Sequence, residues 1–257
     1  MKVLKGILFL LLFAGLFVLL GFAKQRHQSM SCRTFEVKID YQSDNKLVNE
    51  DEVRSIVYSV QDSIINRPYD EIKIKKIEDK LRDNPFMGEA NAYLNLKGDL
   101  SIRVKQRIPL VRVIDRRKNA YYIDRDGYVF KNAAFRAARV LVASGDIPVP
   151  VFGEGENIIS VDSLGLPIIN NIFELSRMIS GDDFLKAQID QIYIRGEEIE
   201  MAPKIGRHYI EFGSMANAGE KLENLKAFYT RGLSNKDWNQ YKKISLKFKN
   251  QIVCTKI

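Results

Sequence analysis

Cysteine and histidine are scarce, with two of each in 257 residues. Cys32 and Cys254 stand near opposite ends of the chain, in neither a Cys-x-x-Cys pair nor a ligand-spaced cluster, so neither a redox motif nor a zinc site can be written from them. Cys32 also lies too far from the first apolar run to be a lipid attachment site. His27 and His208 have no nucleophile or carboxylate grouped with them, which leaves no visible triad. A phosphate-cradling loop is missing too. Gly153-Glu154-Gly155 has no third glycine and no lysine after it, and its glutamates would repel phosphate. Asp124-x-Asp126-Gly127 lacks the further oxygen ligands and closing glutamate of a calcium loop and reads as a plain turn. No catalytic residue, cofactor or metal is expected.

Charge is present but unevenly spread. Lysine and arginine number 40 against 32 acidic residues, for a net charge of +8 and a pI near 9.3. The basic residues are scattered through amphipathic elements with no stacking aromatics between them, which suits a solvated surface near an anionic membrane better than a nucleic-acid groove. Gly6 to Ala23 has no charge at all. As a helix it would measure about 27 Å, close to the bilayer core. Lys2 and Lys5 before it nearly balance Lys24, Arg26 and Arg33 after it, so charge alone does not orient it. Gly21-Phe22-Ala23 has the small-x-small form of a cleavage site, but the run exceeds a signal-peptide core, so a retained anchor is expected. Residues 1–5 then form a tail and 24–33 a linker.

The next stretch reads as strand, helix, helix, strand, strand. Phe35 to Ile39 alternates. Asn49 and Glu52 make a capping box with Val48 stapled onto Val53, and the apolar face continues through Ile56, Val57, Val60 and Ile64. Ile74, Ile77 and Leu81 mark a second helix, stopped at Pro85. Ala90, Ala92, Leu94 and Leu96 then alternate with polar residues, as do Leu100, Ile102 and Val104. A three-residue loop at Lys97 to Asp99 predicts Leu96 opposite Leu100 and Leu94 opposite Ile102.

From Arg107 onward short strands dominate. Val111 to Ile114, Ala120 to Asp124 and Tyr128 to Phe130 predict a hairpin turning at Arg125 to Gly127. Asn171 and Glu174 predict the start of a helix through Ile179. Gln191 to Arg195, Glu198 to Ala202 and His208 to Phe212 predict a meander, with His208 as a surface residue. Asn217 and Glu220 predict a further helix ending by Gly232, and Tyr241 to Lys249 predicts a strand that turns at Asn250-Gln251 into a last one, Ile252 to Ile257.

Pro85-Phe86, the hairpin after it and Arg107-Ile108-Pro109-Leu110-Val111 together resemble the signature of the FtsQ/DivIB family of bacterial cell-division proteins. Tyr121-x-Ile123-Asp124-x-Asp126-Gly127-x-Val129-Phe130 and Ile147-Pro148 through Gly153 continue the resemblance, which covers almost the whole chain. Phe86 replaces the family's usual tryptophan, and Gln106 its usual glutamate. The resemblance implies an α+β chain: a transmembrane helix, a POTRA domain (β-α-α-β-β) over 34–106, and a mixed, mostly antiparallel β domain with flanking helices over 107–257. It implies a non-enzymatic scaffold in the cell inner membrane at the septum. The N-terminus would be cytoplasmic and the domains periplasmic, coupling septal wall synthesis to the cytoplasmic division ring. Partners would be FtsB- and FtsL-like proteins, without nucleic acid, cofactor or small-molecule substrate. Carried over by position, Phe248, Asn250, Ile252 and Cys254 would line the edge that takes the FtsB strand. There Ser245-Leu246-Lys247-Phe248 replaces the family's Asp-Leu-Arg-Tyr, and Gln251 its turn glycine. The alternative is another POTRA-bearing secretion or assembly factor of the envelope.

Overall fold

The computed structural model describes residues 14–15, 31–42, 46–95, 97–131, 138–149, 155–158, 167–233 and 238–257. Of the expected anchor Gly6 to Ala23 only Ala14 and Gly15 fall among these, both helical. Among the described residues no helix is long and apolar enough to cross a membrane. His27 and Gly153-Glu154 lie outside them. The chain divides into two compact units, Met1–Arg107 and Ile108–Ile257.

The first unit comprises β1 (Thr34–Asp40), α1 (Glu50–Val60), a short 3-10 turn, α2 (Ile74–Arg82), β2 (Met87–Leu94) and β3 (Asp99–Gln106). Asn49 caps α1 as its spacing predicts, its side chain accepting the Glu52 N–H at 2.8 Å. Three acidic residues in the first turn suit the positive end of the helix dipole. The helix ends at Val60, short of Ile64, because Gln61 takes an extended conformation. The Gln61 carboxamide then accepts from Lys73 N–H at 3.1 Å and donates to Glu71 C=O at 3.3 Å, tying down the segment between the helices. Ile64 is buried all the same, from the loop.

β3 lies in the middle of the sheet, parallel to β1 and antiparallel to β2. Phe35, Leu100 and Leu94 form one row across it, Val37, Ile102 and Ala92 the next, and Ile39, Val104 and Ala90 the third. Val53 and Val57 of α1 with Ile77 and Leu81 of α2 supply the buried helical face of the core. This register corrects the expected one, since Leu94 faces Leu100 and Ala92 faces Ile102. Asn95 is the cause. Its N–H donates to Asp99 C=O at 3.0 Å, while its side-chain oxygen accepts from Lys97 and Asp99 N–H at 2.9 and 3.0 Å. The turn therefore closes at Asn95 and Asp99. A slip of two residues keeps every side chain on its own face, so alternation cannot detect it. Leu96 lies outside the described residues.

The second unit is a nine-stranded mixed sheet in the order β12-β11-β10-β9-β8-β7-β4-β5-β6. Its strands are β4 (Pro109–Ile114), β5 (Ala120–Asp124), β6 (Val129–Lys131), β7 (Leu141–Gly145), β8 (Ile189–Arg195), β9 (Glu198–Pro203), β10 (Tyr209–Gly213), β11 (Tyr241–Ser245) and β12 (Val253–Lys256). The helices are α3 (Pro167–Ser180), α4 (Asp183–Gln188) and α5 (Ala218–Ala227), the last running into a π-turn at Phe228–Gly232. Val111, Val113, Ala143, Ile192, Ile194 and Ile210 of the sheet share one buried cluster with Ile172, Leu175 and Leu225 of the helices. The Asp124 turn forms as read, its carboxylate accepting from Asp126 and Tyr128 N–H at 3.0 and 2.8 Å.

One expectation fails here. α3 begins at Pro167, a turn before Asn171, which sits inside the helix, and Glu174 pairs with Arg177 at 2.8 Å. Proline opens a helix well because its missing N–H would have no partner there. β7, which the sequence pattern did not reveal, pairs in parallel with both β4 and β8. At its end Gly145 has φ +104°, and a Cβ there would run into the Ile194 carbonyl.

Candidate partner-docking edge

The last two strands extend the sheet beyond β10 in sequence order. β11 runs parallel to β10, with Ile210 beside Ile244 and Glu211 beside Ser245. β12 then returns antiparallel, with Ser245 opposite Val253, Ile244 opposite Cys254 and Lys243 opposite Thr255, and a bulge follows before Tyr241 meets Lys256. The strand expected to reach Lys249 stops at Ser245, because its neighbour β10 ends at Gly213, whose φ is +75°. The connection is longer than the expected Asn250-Gln251 turn, although Asn250 does adopt a left-handed φ of +57°.

Two hydrogen bonds fix which backbone groups face outward. Leu246 N–H donates to Glu211 C=O at 2.9 Å, so the N–H and C=O of Leu246 and Ile244 point to β10, and those of Ser245 and Lys243 point to β12. Ile257 N–H donates to Gln240 C=O at 3.1 Å, so Val253 and Thr255 likewise point inward to β11. Both bonds give the same parity. Cys254 and Lys256 therefore present their N–H and C=O along the outer edge of the sheet. Among the described residues no side chain is bonded to those groups.

The structure brings together three of the four residues expected to line this edge. Phe248, Asn250 and Ile252 share a cleft of about 150 Å³ with Asn217 and Lys221 of the α5 start. Phe248 is 51% exposed. Cys254 is apart from that cleft, on the strand, half-buried against the core beside Ile244, and burial raises its thiol pKa. Asn217 precedes α5 as expected but has φ +55°, and its side chain caps nothing. Lys247 beside the cleft is paired with Glu198 at 2.7 Å, and Lys243 with Glu211 at 3.5 Å. Among the described residues no three His, Cys, Asp or Glu side chains converge to hold a metal ion.

Beneath the edge is an aromatic anchor whose convergence on Trp238 and His208 the sequence did not show. Tyr229 in the π-turn stacks on Trp238 with centroids 5.1 Å apart and planes at 10°. Phe228 of the same turn meets Tyr241 of β11 edge-on at 6.2 Å. His208 is not a surface residue. It is 3% exposed, with Nε2 2.7 Å from the Tyr229 hydroxyl. Burial lowers the imidazole pKa and raises that of the phenol. The signal was there, since His208 shares the parity of Ile210 and Phe212, the buried residues of β10.

No curated protein matches the chain. A family profile described as FtsQ/DivIB, C-terminal related, matches residues 108–255, more than half of the sequence. A profile described as POTRA-like domain matches residues 30–105. Both families are non-catalytic scaffold domains. The chain thus belongs to the FtsQ/DivIB family of cell-division proteins, carrying a POTRA-like domain ahead of the family's C-terminal domain.

Proposed function

We propose that the chain is a bitopic scaffold of the bacterial division machinery. The helix Gly6 to Ala23 stays in the cell inner membrane with the N-terminus cytoplasmic, and both units stand in the periplasm at the septum. The outer edge of β12 takes a strand from an FtsB-type protein, itself joined to an FtsL-type one, and this links septal wall synthesis to the cytoplasmic division ring.

The observation that carries this reading is the outward row of backbone groups at Cys254 and Lys256 on the last strand of the sheet, to which no described side chain is bonded. An added strand would gain main-chain hydrogen bonds there, and alternate side chains would find recesses beside it. Phe248, Asn250 and Ile252 surround one such recess. Cys254 contributes backbone rather than side chain. The test is copurification of the full chain with the FtsB and FtsL homologues from the same cells. Cys254→Pro removes one outward donor without touching the β11 ladder, so it should abolish capture while the protein stays folded. Undiminished capture by a folded Cys254→Pro protein would show that strand addition at β12 is wrong.

A further inference from the structure

β2 is an edge strand of the first unit, and α2 lies against it. Because Asn95 N–H bonds Asp99 in the ladder with β3, Asn91, Tyr93 and Asn95 face β3, while Ala90, Ala92 and Leu94 turn their backbone groups outward. Two of those outward groups are occupied. Ala92 N–H donates to the Glu78 carboxylate at 2.8 Å, and Ala90 C=O accepts from the Arg82 guanidinium at 2.9 Å. In a parallel pair, one residue of the neighbouring strand donates to one carbonyl and accepts from the N–H two residues further on. Arg82 and Glu78 supply that donor and that acceptor from a single helix, one turn apart. They also pair with each other at 3.4 Å, and Asp79 holds the guanidinium at 3.0 Å.

Beyond Glu89, which is paired with Lys105 at 3.0 Å, the strand has little guard: Ala90 to Leu94 carries no charge and no proline, the residues by which exposed edges ordinarily resist pairing. Laid antiparallel on a second copy about Ala92, Ala90 would meet Leu94 and Asn91 would meet Tyr93, with no like charges opposed. We infer that Glu78 and Arg82 seal the β2 edge against strand addition, and that the strand they exclude is β2 of a second copy of this chain. Strand pairing is thereby closed at β2 and left to β12, whose outward groups no described side chain covers.

The test uses the full chain carrying Glu78→Ala with Arg82→Ala. In sedimentation velocity this variant should associate with rising concentration beyond the parent. Adding Ala92→Pro, which removes an outward donor and leaves the β3 ladder intact, should return it to the parent's state. Amide exchange gives a second readout that does not need the double variant. The Ala92 N–H should exchange about tenfold faster in Glu78→Ala than in the parent, with Asn91 and Tyr93 unchanged. Equal Ala92 exchange in the two proteins overturns the seal. So does a folded double variant that associates no more than the parent, and association that survives Ala92→Pro removes β2 as the surface.

Discussion

The side-chain oxygen of Gln106, the last residue of β3, accepts the backbone N–H of Leu47 at 2.6 Å. It accepts that of Val48 as well, at 3.1 Å. Gln106 is 1% exposed, and Leu47 and Val48 are buried too, so water is not at hand to replace it. One carboxamide thus pins the entry to α1 onto the end of the sheet. Gln106→Leu would strand both donors, at about 1–3 kcal/mol each. Gln106→Glu, the residue usual in the family, keeps an acceptor for both and should cost less than the leucine. Urea unfolding at neutral pH compares the three proteins, and a leucine variant as stable as the parent would contradict the assignment.

The hairpin register makes a second comparison. Leu100 is fully buried and Leu94, its partner across the ladder, is only half-buried. Leu100→Ala should cost about 2–5 kcal/mol and Leu94→Ala less, because part of its cavity opens to solvent. Equal losses in a denaturant series would contradict the half-burial of Leu94 at the end of β2.

Those two residues also mark how far the sequence could be read. Alternation placed Leu94 and Leu100 on the inner face, but it could not choose between registers two residues apart, because both bury the same set. The choice lay in the Asn95 side chain, whose oxygen takes two loop N–H groups. The cap at Asn49 was legible because its helix begins where the apolar period begins. At Asn171 the period began a turn inside the helix and misled. β7 has no period to read, because Leu141-Val142-Ala143 is apolar throughout and does not alternate. For the candidate site, sequence pattern gave the terminal strands but extended β11 past Ser245, since its end is set by where β10 turns away, a fact about a neighbour remote in sequence. The anchor under the edge was hidden for the same reason. Tyr229, Trp238 and His208 converge only after α5 has folded back.

His208 gives a pH signature. Burial holds its imidazole below the ordinary value of 6.5, so the unfolded chain takes up the proton more readily than the folded protein does. Stability from this group is therefore full above pH 6.5 and is lost as the pH falls from there through the lower folded-state value. His208→Gln has no proton to take up in that window. Its melting temperature, though lower at neutral pH for lost packing, should fall less between about pH 7 and about pH 5 than the parent's does. Parallel curves for the two proteins would show that His208 does not titrate with folding.

The parity of the last strand can be tested without any partner. Val253 turns its N–H toward β11 and Cys254 turns its own away, as the Leu246 and Ile257 hydrogen bonds require. Proline removes the donor at either position and imposes the same backbone angle at both, so the two variants differ in the ladder bond and in the packing of the side chain lost. Val253→Pro loses a bond within the sheet and should be less stable than Cys254→Pro by about 0.5–1.5 kcal/mol. The side chains bias the comparison the other way, which strengthens it. Val253 is 40% exposed, whereas Cys254 packs on the core, so burial alone would make Cys254→Pro the costlier change. A urea series on the two variants, with Cys254→Ala beside them, therefore separates the readings. If Val253→Pro is the less stable, Cys254 and Lys256 present the outer edge. If Cys254→Pro is the less stable, either the ladder parity is reversed or packing outweighs the bond, and Cys254→Ala, which keeps the donor, measures that packing loss directly.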